Sequence, residues 1–167
     1  MAYAYEIGDE LPPPPTRAEV EADLADWKAR LVELVTTLRH WATEVPGIRC
    51  VVVETEKHER KMALVGIHQP IGLPLLLIDR KPSQAQETLP AQSGETPALG
   101  QGGMSVWPDA RWVIGTRGQV WIQSTDLLET LVDIGKPGAP DWRYTQHGEF
   151  LRPLTKESFQ SIVKRLQ

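Results

Sequence analysis

Between Thr16 and Val45, apolar residues recur at alternating intervals of three and four positions. This spacing keeps side chains on one stripe of an α-helix, whereas a strand would send alternate residues to opposite faces. The pattern predicts one long helix, which begins at a capping box of Thr16 and Glu19 and ends before Pro46 and Gly47. The stripe consists of Val20, Leu24, Trp27, Leu31, Leu34, Leu38, Trp41 and Val45.

The stripe has two parts of different width. Residues 34–45 are flanked by further apolar side chains, including Val32, Val35 and Ala42, and such a wide face is expected to pack on the chain's own sheet. The first part is a narrow seam, which is typical of a helix that meets another helix. This part could meet a partner protein or a second copy of the chain, and packing entirely within the chain is the favoured reading. This helix seam comprises Val20, Leu24, Trp27 and Leu31.

From Ile48 onward the apolar pattern changes to a period of two, which predicts β-strands. Residues 49–57 and 61–67 are expected to form an antiparallel hairpin around residues 58–60. Residues 75–78 are uniformly apolar, as is typical of a central strand that is covered on both faces. The long helix is expected to cover one of those faces.

A second β region follows. Residues 111–114 and 119–123 flank a turn with glycine at both corners, which predicts a hairpin that places Trp112 opposite Trp121 on one face. Residues 127–134 fit a short helix or a strand, and the strand is favoured. Two short strands at 142–145 and 149–151 complete the predicted meander. A second helix is expected at 156–166, with Thr155 as its cap.

These elements predict an α+β fold: a mostly antiparallel sheet, made of a hairpin and a C-terminal β-meander, with a long N-terminal helix packed across it and a short C-terminal helix. Residues 1–15 end in four prolines and are expected to form a flexible arm. Residues 16–167 are expected to form a single domain with a mobile internal linker at 82–103, which is rich in Ser, Gln, Gly and Pro. The linker could also divide this domain into 16–81 and 104–167.

Composition narrows the functional classes. A net charge of -4 and a pI near 5.6 disfavour nucleic-acid binding, which usually requires an excess of Lys and Arg. No apolar run is long enough to cross a membrane, and the N-terminus has no signal-peptide pattern. Cys50 is the only cysteine, so no intrachain disulfide can form and a reducing cytoplasm is the expected compartment.

Motifs for catalysis, cofactors or metals are scarce. The sequence contains no CxxC, HExxH, Walker loop or GxSxG, and no cofactor or bound metal is predicted. Asp79 and Lys81 directly follow the apolar strand, a layout loosely similar to the acid-x-lysine core of restriction-type nucleases. With Glu54 or Glu56 as a further acid, they could hold a divalent ion and orient a water for phosphodiester cleavage. A strand that ends in a polar linker would carry the same residues without activity.

Glu54, Glu56 and His58 would also share one face of a strand, within metal-ligand reach of one another. The alternative is a solvated strand edge, where charges discourage unwanted strand pairing. We favour the edge.

The leading functional prediction is a non-enzymatic cytosolic protein that acts through protein–protein contacts. Its contact surfaces would be the helix seam and an aromatic, Arg-rich β surface of Trp112, Arg117, Trp121 and Arg143. Two alternatives are a metal-dependent nuclease that uses Asp79 and Lys81, and a single-stranded nucleic-acid-binding module on the same β surface.

Overall fold

The fold is α+β, as predicted. A computed structural model describes residues 13–81, 102–145 and 151–166. Its seven antiparallel strands lie in the sheet in the order in which they occur in the chain. The helices are α1 (Arg17–Thr43), α2 (Arg60–Leu64) and α3 (Lys156–Val163), and a 3₁₀ turn follows at Lys164–Leu166. The strands are β1 (Ile48–Lys57), β2 (Ile71–Arg80), β3 (Met104–Ala110), β4 (Gln119–Gln123), β5 (Leu128–Asp133), β6 (Trp142–Thr145) and β7 (Arg152–Pro153).

Helix α1 confirms the predicted long helix and its capping box. The Glu19 amide donates to the Thr16 hydroxyl over 3.3 Å, and the Thr16 amide donates to the Glu19 carboxylate over 2.7 Å. The expected widening of the apolar face is only partly correct, because Val35 and Ala42 are buried whereas Val32 is 49% exposed. A capping box stabilises a helix start because the backbone amides of the first turn have no hydrogen-bond partner within the helix.

The core lies between one face of the sheet and the helices α1 and α3. Leu76 stands opposite Val106, and Val106 stands opposite Ile122, so buried side chains form a row across three strands. Leu38 of α1 and Phe159 of α3 belong to the same buried cluster. Packing a sheet face against helices is the usual way in which both elements bury their apolar sides.

The first predicted hairpin is wrong in its second strand. Residues 61–67 contain the short helix α2, and β1 pairs instead with β2, from Ile48 opposite Arg80 to Lys57 opposite Ile71. The predicted strand at 75–78 is therefore part of β2. Met62 explains the difference, because it is buried against Val20 and Leu24 of α1. The short alternating pattern of residues 61–67 fits a strand or a helix, and the contact of Met62 with α1 decides in favour of the helix.

The second predicted hairpin is also wrong. Residues 111–118 contain no strand, and β4 pairs with β3, so that Trp121 stands opposite Trp107 and not opposite Trp112. Arg111 and Trp112 are held by α1: the Arg111 guanidinium and the Trp112 indole both donate to the Asp23 carboxylate, over 3.0 and 3.1 Å. These bonds draw the segment out of the sheet toward the helix.

The remaining elements agree with the predicted meander where they are described. Residues 128–133 form strand β5, and β6 and α3 occupy the expected positions, with Thr155 accepting a hydrogen bond from the Ser158 amide. Of the strand predicted at 149–151, residues 149 and 150 lie outside the described residues, and β7 begins at Arg152. Residues 1–12 of the predicted arm and 82–101 of the predicted linker also lie outside them. Strands β2 and β3 pair directly, so the described parts of 16–81 and 104–167 share one sheet.

Within the described ranges, no helix combines the length and apolar character that crossing a membrane requires.

Candidate interaction surface

The helix seam is buried inside the chain. Val20, Leu24, Trp27 and Leu31 are all less than 7% exposed. Trp27 packs so tightly against the backbone of Gly118 that a Cβ there would lie 2.6 Å from the indole nitrogen. The chain's own residues therefore occupy the surface that the seam was expected to offer to a partner.

Two buried arginines attach α1 to the β region. Arg30 donates to Asp26 over 2.7 Å and to the fully buried Asp133 over 2.6 Å. Burial alone would lower the pKa of Arg30, but the bonds to both carboxylates outweigh it and raise that pKa. Arg30 itself is only 2% exposed.

Arg111 is the second of these arginines. It is 3% exposed, donates to Asp23 over 3.0 Å, and also donates to the backbone oxygen of Arg117 over 2.7 Å. The Arg117 amide in turn donates to the backbone of Asp133 over 2.6 Å. Trp112 and Arg117 thus lie in the loop that closes one end of the sheet against α1, and this separates them from Trp121.

The sheet face that points away from α1 and α3 carries a different set of side chains. Val106, Val120 and Ile122 point into the core, and strand alternation places Trp107 and Trp121 on the opposite side. We call this side the outer sheet face. The strand register assigns to it, among others, Arg49, Val51, Val53, Lys57, Leu75, Leu77, Asp79, Ser105, Trp107, Gln119, Trp121, Gln123, Leu128, Thr130, Val132, Arg143 and Thr145.

Two partly exposed tryptophans lie at the centre of the outer sheet face. Trp107 and Trp121 are directly opposed, and Thr130 and Thr145 continue the same row on β5 and β6. Directly opposed side chains on antiparallel strands have Cβ atoms about 5 Å apart, so the two indoles share one contact area. Val51 adds apolar surface at the margin of the face, with 43% of its surface exposed.

The charges on the outer sheet face are mostly basic or paired, and Asp109, whose carboxylate accepts a hydrogen bond from the Gln119 side chain over 2.8 Å, lies beside its central row. Lys57 Nζ lies 5.9 Å from the centre of the Trp107 ring, within range of a cation–π contact. Arg143 donates to Asp141 over 2.7 Å, and this bond lowers the pKa of Asp141. Arg49 lies 3.4 Å from Asp79 at the far end of β1. No carboxylate occupies the central row of the face.

The nuclease candidates do not converge. Glu54 stands opposite Pro74, five residues before Asp79 along β2, which corresponds to about 16 Å of strand. Glu56 lies still farther from Asp79, and the Asp79 carboxylate faces Arg49. Lys81 uses its backbone amide to donate to Gly47. No group of three His, Cys, Asp or Glu residues in the described ranges is placed to hold a metal ion.

Cys50 does not have the setting of a reactive thiol. It packs against the core cluster, and burial raises its pKa, although Arg39 acts in the opposite direction. A thiol needs a lowered pKa to act as a nucleophile near neutral pH. Cys50 therefore serves as a small apolar residue of strand β1.

Of the predicted β surface, the structure therefore keeps Trp121 and Arg143 on the outer sheet face and moves Trp112 and Arg117 to the loop beside α1. Trp107 is the residue that the sequence reasoning missed. Its signal was the sequence alternation in residues 104–108, where the apolar Met104, Val106 and Pro108 alternate with Ser105 and Trp107. The adjacent predicted linker hid that pattern.

Comparisons with models of protein families, with curated proteins and with solved structures found no match to this chain.

Proposed function

We propose that this chain is a non-enzymatic cytoplasmic binding protein that docks a partner protein on its outer sheet face. The observation that carries the proposal is the directly opposed, partly exposed pair of Trp107 and Trp121 on a sheet face that no described helix covers. Aromatic residues and arginine are enriched in the cores of protein interfaces, whereas Lys, Asp and Glu are depleted there. The central row of the face has this composition.

The charges of the face define the partner's chemistry. Lys57 and Arg143 lie on the face and its centre has no carboxylate, so the matching surface is an apolar patch bordered by Asp or Glu side chains. The helix seam takes no part in this contact, because it is buried within the chain.

Single-stranded nucleic acid is the second candidate, because bases stack on exposed aromatic rings. The charges of the outer sheet face disfavour nucleic-acid binding. Arg143 and Arg49 already pair with Asp141 and Asp79, so Lys57 is the cation of this face without an ion-pair partner among the described residues. Binding through phosphate neutralisation depends on several free cations, and the whole chain carries a net charge of -4.

Site-specific photocrosslinking tests the proposal. A benzophenone amino acid replaces Gln123, which is exposed on the outer sheet face, and in a control replaces Glu33, which is exposed on α1. We expect a protein that crosslinks from position 123 and not from position 33. The crosslink should disappear in the variant Trp107→Ala/Trp121→Ala, with circular dichroism confirming that the variant is folded.

The other outcomes count against the proposal. A crosslink that survives loss of both tryptophans would show that they do not form the contact. A crosslink to a second copy of the chain would indicate that the outer sheet face mediates self-association and does not bind a different protein. Binding of a fluorescent single-stranded oligonucleotide that needs both tryptophans would favour the nucleic-acid reading.

A further inference from the structure

Strand β1 lies at one edge of the sheet that the described residues form. It forms ten pairs with β2, and β1 is the first strand of the sheet, so no described residue pairs with its other side. Val51 and Val52 are 43% and 40% exposed on this strand. An exposed edge of this length is a template for the addition of a further strand.

Pro74 determines which backbone groups point to that edge. It stands opposite Glu54 and has no N–H to donate, so this pair is of the non-hydrogen-bonded kind, in which both residues turn their backbone groups away from each other. Pairs alternate along an antiparallel ladder. The N–H and C=O groups of Cys50, Val52, Glu54 and Glu56 therefore point away from β2 toward the open edge.

The two faces of strand β1 carry charges of opposite sign: acidic side chains lie on one face and basic side chains on the other. Glu54 and Glu56 are exposed on the face that β1 shares with Cys50, and neither has an ion-pair partner among the described residues. The Glu54 carboxylate lies over Gly72 of β2. The opposite face presents Val51 and Val53. The two cations of the strand, Arg49 and Lys57, also belong to that opposite face.

We propose that the edge of β1 binds an extended peptide segment in which Lys or Arg alternates with an apolar residue. Directly opposed residues in a sheet share a face, so the basic residues of this segment would stand opposite Glu54 and Glu56. Its apolar residues would extend the surface formed by Val51 and Val53. Its backbone would pair with the outward groups of Val52 and Glu54. This site is separate from the tryptophan pair and does not depend on the function proposed above.

A second copy of the chain is a poorer match for the edge. Two-fold antiparallel pairing of β1 with itself keeps each face of the sheet continuous. Arg49 and Lys57 lie on the face opposite to Glu54 and Glu56, so no register of self-pairing places a cation directly opposite either carboxylate.

Fluorescence anisotropy with designed peptides tests the proposal. The probe is a labelled eight-residue peptide of alternating lysine and valine, and the control peptide has glutamate in place of lysine. We expect the lysine peptide to bind the wild-type protein at least tenfold more tightly than the glutamate peptide. The variant Glu54→Lys/Glu56→Lys should reverse this preference.

Two changes test whether the backbone edge is used. Val52→Pro removes one outward N–H without removing a bond to β2, and we expect it to weaken binding of the lysine peptide at least tenfold. Should that variant fail to fold, a lysine peptide that is N-methylated on the edge facing β1 makes the same test with the wild-type protein. Trp121→Ala should leave peptide binding unchanged, which separates this site from the outer sheet face.

Three results would overturn the proposal. The first is the absence of binding by the lysine peptide. The second is equal binding to wild type and Val52→Pro, or equal binding of the N-methylated peptide, because attraction would then come from charge alone. The third is concentration-dependent self-association that Val52→Pro abolishes, which would assign the edge to a second copy.

Discussion

The buried ion pair between Arg30 and Asp133 gives the sharpest prediction about stability. Asp133 is fully buried and accepts three hydrogen bonds: from Arg30 over 2.6 Å, from the Gly135 amide over 2.7 Å and from the Asp141 amide over 2.9 Å. Asp133→Asn keeps the size of the side chain and removes its charge. The variant leaves the Arg30 guanidinium buried, with Asp26 as its remaining bonded carboxylate and the backbone carbonyl of Lys136 as a neutral acceptor.

Breaking a buried pair by removing one partner typically costs about 3–5 kcal/mol. Asp26 is partly exposed and remains bonded to Arg30, so we expect the lower end, about 3 kcal/mol for Asp133→Asn. Arg30→Met should cost about 3–4 kcal/mol, because it leaves a buried carboxylate without its cation. Such losses are a large part of the total stability of a domain, which is about 5–15 kcal/mol.

The double variant Arg30→Met/Asp133→Asn should cost clearly less than the sum of the single variants. Neither buried charge remains in it, and the Asn carbonyl can still accept from the amides of Gly135 and Asp141. We expect a coupling free energy of about 2 kcal/mol, within the range found for residues of one network. Urea unfolding followed by circular dichroism measures all the values.

Arg17 and Glu21 provide a matched control. Their side chains also lie 2.7 Å apart, but they are 61% and 53% exposed. Exposed pairs contribute about 0–1 kcal/mol, so Glu21→Gln should have little effect. If Asp133→Asn costs no more than Glu21→Gln, then Asp133 is not a buried counter-charge that holds α1 to the β region, and the reasoning fails.

Two further predictions concern α1 and the sheet. Gly118→Ala should cost more free energy of unfolding than Gly115→Ala, because both glycines have positive φ but only Gly118 would place a Cβ 2.6 Å from the Trp27 indole; equal thermal shifts would contradict the close contact. Burial raises the pKa of Tyr144 to about 12, so the folded chain keeps this proton while the unfolded chain loses it above its ordinary value of 10.0. Stability from this group is therefore complete below pH 10 and is lost as the pH rises toward 12, by up to about 3 kcal/mol. Tyr144→Phe should flatten that fall in urea unfolding curves, because the variant has no hydroxyl to ionise; an unchanged pH profile would refute it.

The helices were predictable because their signals are local. The stripe from Val20 to Val45 and the capping boxes at Thr16 and Thr155 depend on residues three or four apart, and the structure places both helices at the expected positions. The strand at residues 142–145 was also predicted, and for residues 127–134 a strand was favoured over a short helix, which β5 confirms. The fold class followed from these elements together.

Strand partners were not predictable in the same way. A turn-like stretch at residues 115–118 made β4 a natural partner for residues 111–114, but long-range bonds from Asp23 hold Arg111 and Trp112 against α1. The true partner, β3, is separated from β2 by a long segment that has no strand pattern. Register decides which residues share a face, so the pairing of Trp121 with Trp107 could not be read from the sequence.

The exposure of the helix seam was likewise a question of tertiary packing. A narrow apolar stripe suits a partner helix and suits a loop of the same chain equally well. Here the residues that cover Val20 and Leu24 are Met62 of α2 and the side chain of Trp112. Met62 and Trp112 lie far from the seam in the sequence, and the local sequence around them does not indicate that they pack against α1.

Tryptophan indole signals give the most direct test of the central claim, which is that a partner docks on the outer sheet face while the helix seam stays buried. The chain has six tryptophans, so a ¹⁵N–¹H spectrum contains six indole reporters, which single Trp→Phe variants assign. On titration with the protein captured from position 123, the signals of Trp107 and Trp121 should shift. Those of Trp27 and Trp41 on α1 should not. Shifts at Trp27 with Trp107 and Trp121 unchanged would contradict the account.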